Sequence, residues 1–349
     1  MTTLDELIAY ARASGCSDVH LTAGFSPIVR RVGSLEPVAM QAEYTEPMIR
    51  SMLDPQRLER LNLGEDADFS YETPDQCRQR VNIYRERGRL CAAIRLLSST
   101  VPTLDELQMP PILAKLAMEP RGLILVTGPT GSGKSTTLAA MIDYINTNRK
   151  THIITIEDPI EYVYAQKQAL IHQREVGADV QSFASSLRSA LREDPDVILV
   201  GEMRDYETIS AAVTAAETGH LVLSTLHTTG AANTIDRIVD VFPAHQQQQI
   251  RTQLSGVFKA SITQQLVPLA SGAGRIAAME ILVATDAVCS LIRDNKGHQL
   301  ATSMQTGGKN GMQTMQASLA ALVRSGLITY ESAAERASDL SEFNQYLGR

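Results

Sequence analysis

Apolar positions alternate with polar ones over the first third of the chain and gather into unbroken runs through the middle, and the two patterns predict different sheets. Residues 3–14 read as a helix: Thr3 can cap it, Asp5 and Glu6 favour its first turn, and Leu4, Ile8 and Ala11 form one face. Short strands are expected at Ser17–Leu21, Pro27–Val32, Asp68–Tyr71, Gln79–Tyr84 and Leu90–Leu96, with a helical segment near 45–61 and a hairpin turn at Gly88. That is a small α+β domain on an antiparallel sheet, residues 1–99. The polar stretch from Ser98 to Pro102 opens a linker assigned to residues 100–110.

After a helix at Leu113–Met118, four apolar runs alternate with helical stretches: Leu123–Val126, Ile153–Ile156, Val197–Val200 and Leu221–Ser224. Strands covered on both faces of a parallel sheet look like this, so residues 111–349 are expected to form an α/β domain. Beyond Pro243, Ile250, Leu254, Val257, Phe258 and Ile262 recur at helical spacing, which predicts one long amphipathic helix reaching about Leu266. Glycine-rich breaks at Ser271–Gly274 and Gly307–Gly311 separate a hairpin-like piece and two or three closing helices, a C-terminal region from about residue 275.

The chemistry starts where the first apolar run ends. Gly128, Pro129, Thr130, Gly131, Ser132, Gly133, Lys134, Ser135 and Thr136 fit the pattern G-x-x-x-x-G-K-[ST], between a strand and a helix as the motif requires. Glycines let consecutive N–H groups curl around phosphate oxygens, and the following helix adds its positive dipole end. Lys134 would reach the β- and γ-phosphates, and the Ser135 hydroxyl would join the shell of a Mg²⁺ ion. ATP and Mg²⁺ are the cofactors this implies.

Phosphoryl transfer also needs carboxylates for the metal and for the attacking water. Glu202 follows the run Val197–Val200 and suits water activation or a metal contact through water. Asp196, before the run, reads as a cap or a solvent-facing acid. Glu157 and Glu161 end the neighbouring strand and are candidates for the general base or for outer metal contacts. His220 and His227 flank the last run seven residues apart, at opposite ends of a strand and not in one metal site. His227, at the carboxyl end, could sense the γ-phosphate; His220 alone would be structural.

Composition narrows the classes. The 349 residues are 44% hydrophobic and 20% charged with a net charge of −7, a balance that argues against a protein tracking nucleic-acid backbones. Cys16, Cys77, Cys91 and Cys289 form no C-x-x-C pair, so neither a zinc site nor a disulfide framework is suggested. The acidic start, Asp5 and Glu6, lacks a signal-peptide pattern, and no apolar run approaches membrane-spanning length.

Taken in order, the phosphate loop, the acidic box from Ile156 to Glu161, the strand from Asp196 to Asp205 and the histidine box from Gly219 to Thr228 resemble the secretion superfamily ATPases, the hexameric motors of type II secretion and type IV pili. Within that superfamily the chain is most similar to the pilus retraction family, through segments such as Ser17–Leu21, Arg80–Asn82, Leu291–Asp294 and Gln305–Gly307. The resemblance implies a RecA-like ATPase core preceded by a PAS-like domain, with ATP bound between the domains. It implies Glu202 as the Walker B glutamate, Glu157 and Glu161 as acidic-box carboxylates, and His220 and His227 as the histidine box. Arg80 and Arg95 would approach the γ-phosphate and Arg275 would link subunits to the site.

The implied assembly is a homo-hexamer at the cytoplasmic face of the inner membrane. It would work on a membrane platform protein, alone or beside a paralogous pilus ATPase, with no nucleic-acid partner. Two positions depart from the family wording, Cys289 and Ser290, where an arginine and an asparagine are common. The rival readings are a pilus extension or type II secretion motor, which would share the site, a RecA-like nucleic-acid motor, and a hydrolysis-poor nucleotide-binding paralogue.

Overall fold

In the computed structural model, which describes every residue except Met1, Val32, Gln76, Ser98, Ser99, Ala273 and Arg349, the two patterns fold as two separate sheets. The end of the strand expected at Pro27–Val32, part of the polar stretch at Ser98–Pro102 and part of the break at Ser271–Gly274 thus lie outside the described residues. Two units result: Met1–Val101 with Pro159–Val163, and Pro102–Asp158 with Tyr164–Arg349.

In the first unit α1 (Leu4–Ala13) starts at Thr3, whose hydroxyl accepts the Glu6 N–H while the Glu6 carboxylate accepts the Thr3 N–H. The strands are β1 (Cys16–Thr22), β2 (Ile28–Arg31), β3 (Ser34–Pro37), β4 (Ala67–Glu72), β5 (Arg78–Glu86) and β6 (Arg89–Leu96). They form one antiparallel sheet in the order β3-β2-β1-β6-β5-β4. The expected single helix at 45–61 is two, α2 (Thr45–Ser51) and α3 (Pro55–Asn62), because the Asp54 side chain caps the second and Pro55 can only begin it. Arg87 and Gly88 both have positive φ, the geometry that lets a tight hairpin join β5 to β6. Leu7, Ile8, Val19, Ile49, Val81 and Ile94 fill the core between sheet and helices.

The second unit runs α4 (Ile112–Ala117), β7 (Gly122–Thr127), α5 (Lys134–Asn148), β8 (His152–Glu157), β9 (Leu170–Glu175), α6 (Phe183–Ala190), β10 (Val197–Val200), α7 (Tyr206–Glu217), β11 (Leu221–Leu226), α8 (Ala231–Asp240), α9 (Gln247–Val257), β12 (Phe258–Pro268) and β13 (Arg275–Val283). The sheet order is β13-β12-β7-β11-β10-β8-β9, parallel throughout except for β13. Buried Leu123, Leu125, Ile154, Ile198, Val200 and Val222 form its centre. Strand β9, absent from the sequence expectation, lies at the edge, where only part of its residues are buried.

The predicted long helix after Pro243 is corrected. It ends at Val257, and Phe258, with φ −58° and ψ 130°, turns the chain directly into β12. There Ile262 lies level with Val126 on one side and Ile281 on the other. Pairing to two neighbours overrides a spacing that reads as helical, since a buried strand and a buried helix share the same apolar run.

Five closing helices follow among the described residues, more than the two or three expected: α10 (Asp286–Arg293), α11 (Leu300–Thr306), α12 (Met315–Arg324), α13 (Tyr330–Ala334) and α14 (Leu340–Leu347). Side-chain caps from Thr285, Thr314, Thr329 and Asp339 start four of them. Val267, Ile276, Leu319 and Phe343 pack α12 and α14 onto β12 and β13.

Candidate nucleotide-binding site

Because β7, β8, β10 and β11 are parallel and in register, their carboxyl ends share one edge. Gly128 follows β7, Glu157 ends β8, Glu202 stands just past β10, and His227 follows β11. Ligands of open α/β sheets bind beyond this edge. The phosphate loop and Glu157, Glu202 and His227 are therefore brought together as expected.

Three loop glycines, Gly128, Gly131 and Gly133, have positive φ. Gly128 is required twice over: its φ is +136°, and a Cβ there would collide with the Gln264 carbonyl oxygen of β12. A Cβ on Gly133 would come within 2.8 Å of Gln264 Nε2. Gln264 itself is 1% exposed; its Nε2 donates to the Ser132 carbonyl at 2.7 Å, and its Oε1 accepts from the Thr137 hydroxyl at 2.7 Å. One side chain thus ties the loop to the first turn of α5. Next to it, the hydroxyls of Thr127 and Thr263 bond at 2.9 Å across β7 and β12.

Lys134 is 8% exposed, and its ammonium donates to the carbonyls of Gly128 (2.9 Å) and Pro129 (3.0 Å), so the charge is held across the loop. Ser132 Oγ is buried with no hydrogen-bond partner. A buried hydroxyl without a partner, positive-φ glycines and a helix N-terminus together fit a phosphate group. Ser135 is exposed and Thr136 half-buried at the start of α5.

Glu202 accepts from Arg204 at 2.7 Å and lies 3.5 Å from His227 Nε2, with Arg204 Nη2 3.4 Å from the same nitrogen. The acid, the arginine and the histidine form one cluster. The Glu157 carboxylate accepts from Thr155 Oγ1 (2.7 Å) and Gln173 Nε2 (3.2 Å), which orients it along the edge. Glu161 is half-buried and lies in Pro159–Val163, the segment grouped with the first unit.

His220 stands elsewhere. It precedes β11 at the amino end, where its Nδ1 meets the Ala215 carbonyl at 2.9 Å and fastens the end of α7. The six residues of β11, Leu221–Leu226, separate it from His227 at ~3.3 Å of rise each. Arg275 begins β13 opposite Pro268, so antiparallel pairing brings it to the same edge as the carboxyl end of β12. Arg80 and Arg95 are cross-strand neighbours on β5 and β6 of the first unit, each on a carboxylate: Arg80 on Asp68 at 2.8 Å, Arg95 on Asp18 at 3.2 Å. Asp196 caps no helix; it is exposed, as one of its two readings expected, and is also hydrogen-bonded. It accepts from Thr151 Oγ1 and the His152 N–H, which hold its carboxyl below the usual range and pin β10 to β8.

Two residues of the site escaped the sequence reading. Arg204 lay inside a quoted motif, and its position two residues after Glu202 was the available signal. Gln264 carried none, because it sat in the expected helix.

A phosphate-binding loop between β7 and α5, with acids at the ends of β8 and β10 of a parallel sheet, defines a P-loop nucleoside triphosphatase with a RecA-like core. Comparisons narrow this. The model of the family described as Type II/IV secretion system protein matches residues 62–336. The chain is 47% identical over 337 residues to the Type IV pilus retractation ATPase PilT of Pseudomonas aeruginosa, covering 96% of this chain and 98% of that one. It is 52% identical over 317 residues to a twitching motility protein of Neisseria gonorrhoeae, covering 90% and 85%. The crystal structure of the pilus retraction motor PilT with bound ADP superimposes with a TM-score of 0.92 at 46% identity, covering 99% and 100%. The chain belongs to the type II/IV secretion system ATPase family.

Proposed function

We propose that this chain is an ATP-hydrolysing motor of type IV pilus retraction. The observation that carries the reading is likeness over nearly the whole length to a pilus retraction ATPase, and the intact phosphate loop agrees with it. The reaction is hydrolysis of ATP to ADP and phosphate. In this reading backbone N–H groups of the loop after Pro129, which has none, and the Lys134 ammonium hold the phosphates. A Mg²⁺ ion would be held by Ser135 and, through water, by Glu202; it would supply charge neutralisation on the β- and γ-phosphate oxygens.

Among the described residues no group of three or more His, Cys, Asp and Glu side chains could hold a metal. Sharing an ion with nucleotide phosphates is the arrangement consistent with that chemistry. Glu202 takes the proton of the attacking water, Glu157 and Glu161 order the outer shell, and His227 answers to the γ-phosphate. Arg80, Arg95 and Arg275 supply guanidinium groups that neutralise charge on the transferred phosphoryl oxygens. The working form is a homo-hexamer whose closed ring lets each subunit push on the next. It acts at the cytoplasmic face of the inner membrane on a platform protein; none of the described helices is long and apolar enough to cross a membrane itself.

Two measurements test this. Purified wild type should hydrolyse Mg-ATP far faster than Glu202→Gln; equal rates would remove the motor reading. In cells, deletion should leave more surface pili by electron microscopy, uncorrected by Glu202→Gln. Loss of pili on deletion would make the chain an extension motor instead.

A further inference from the structure

A carboxylate outside this catalytic set stands level with the start of the phosphate loop. Cross-strand register runs Leu226, Thr127, Thr263, Glu280 from β11 through β7 and β12 to β13. From β13 the Glu280 side chain reaches α8, where its Oε1 accepts the N–H of Ala231 at 2.7 Å. Ala231 is the first residue of α8 and is 1% exposed. That helix turn is stitched to the loop after β11: Thr228 and Thr234 bond through their hydroxyls at 2.7 Å, Thr234 Oγ1 donates to the Gly230 carbonyl, and Asn233 Nδ2 to the Thr229 carbonyl. The same loop starts with His227, the partner of Glu202.

We propose that Glu280 is a positioning residue for phosphoryl transfer: by holding the first turn of α8 it fixes the strand end that carries His227 against Glu202. The proposal rests on the reading that this edge hydrolyses ATP. Burial pushes the Glu280 carboxyl up, the Ala231 N–H opposes this, and Glu342 of α14 adds to the rise. A carboxyl kept where burial disfavours its charged form is the pattern of a group retained for function.

The test is steady-state kinetics on the full chain. If wild type hydrolyses Mg-ATP no faster than Glu202→Gln, the motor reading falls and this proposal with it. Given wild-type turnover, Glu280→Ala should lower kcat by about tenfold or more and leave KM for Mg-ATP within about twofold. Glu280→Gln, whose amide oxygen can still accept from Ala231, should return to within about threefold of wild type. Ala231→Pro deletes the N–H at a position where proline suits a helix, after Gly230 with ψ 141°. It should slow wild type and cost nothing further on top of Glu280→Ala.

Glu280→Gln as slow as Glu280→Ala, additive effects of Glu280→Ala and Ala231→Pro, or an effect carried by KM would each overturn the assignment. Should Glu280→Ala not fold, Ala231→Pro is compared with Ala231→Gly, which keeps the N–H. The proline variant alone should be slow, and equal rates would refute the role.

Discussion

Replacing Gln264 by leucine asks whether the wall behind the phosphate loop sets nucleotide affinity. The exchange keeps approximate volume while stranding two buried groups, the Ser132 carbonyl and the Thr137 hydroxyl. Each stranded group costs about 1–3 kcal/mol. Thr137 can recover, because a hydroxyl in a helix can turn to the carbonyl four residues back, here that of Gly133. The Ser132 carbonyl has no such recourse within the loop's curled form. The loop should therefore lose about 1–3 kcal/mol of its preference for the phosphate-binding shape. At 1.4 kcal/mol per decade that is an affinity loss of about 5- to 150-fold for ADP. The assay is titration with a fluorescent ADP analogue, with Thr137→Val as control. That control removes only the recoverable bond and should weaken binding less than about fivefold. Gln264→Leu binding within twofold of wild type, or a lowered Tm with unchanged affinity, would refute the argument.

Three further outcomes are expected. Gly128→Ala should abolish measurable nucleotide binding, since its Cβ meets the Gln264 carbonyl oxygen at a φ of +136°; equilibrium dialysis with ADP checks it. Arg204→Ala removes an ion pair whose arginine side chain is 66% exposed, so Tm should move little. Its kcat should nevertheless drop several-fold at unchanged ADP affinity, because Glu202 loses the guanidinium that orients it. Glu280→Gln should be at least as stable as wild type at neutral pH. The Glu280 carboxyl titrates above its ordinary value of 4.5 when folded. The folded state thus holds the proton more tightly, and wild-type stability falls as pH rises from the unfolded through the folded pKa. Melting curves of the two proteins should converge as pH falls below about 4.5, and a gap that widens on acidification would contradict the shift.

What could be read from the sequence was whatever chemistry is local. The phosphate loop declares itself because backbone curl, helix start and charge all lie within nine consecutive residues, Gly128–Thr136. The runs at Leu123–Val126 and Val197–Val200 declare central strands because both their faces are buried. Strand β9 was harder: Leu170–Glu175 mixes exposed, half-buried and buried residues among charges, which its edge position permits and which breaks any simple alternation. His220 and His227 share a motif in the sequence and sit at opposite edges of the sheet in space, because strand length alone separates them.

The loss at β12 is the instructive one, since it hid a wall of the site together with a strand. Ile250, Leu254, Val257, Phe258 and Ile262 keep helical spacing across the junction at Val257–Phe258, and the one signal there, Gly256 in the last turn of the helix, does not interrupt that spacing. A strand that is hydrogen-bonded on both sides and mostly buried needs no alternation, so its residues are free to mimic a helix. Gln264 is nearly solvent-free within this strand, and its polarity makes sense only against partners more than 120 residues earlier in the chain, Ser132 and Thr137. The same strand sets Thr263 between Thr127 and Glu280. The glycine at 128 was legible as a phosphate-loop residue, but its second reason, the carbonyl of Gln264 pressed against it, exists only once β12 pairs with β7. Local sequence therefore specifies what the loop can bind, while the long-range pairing of β12 specifies how firmly the loop is held in the shape that binds it.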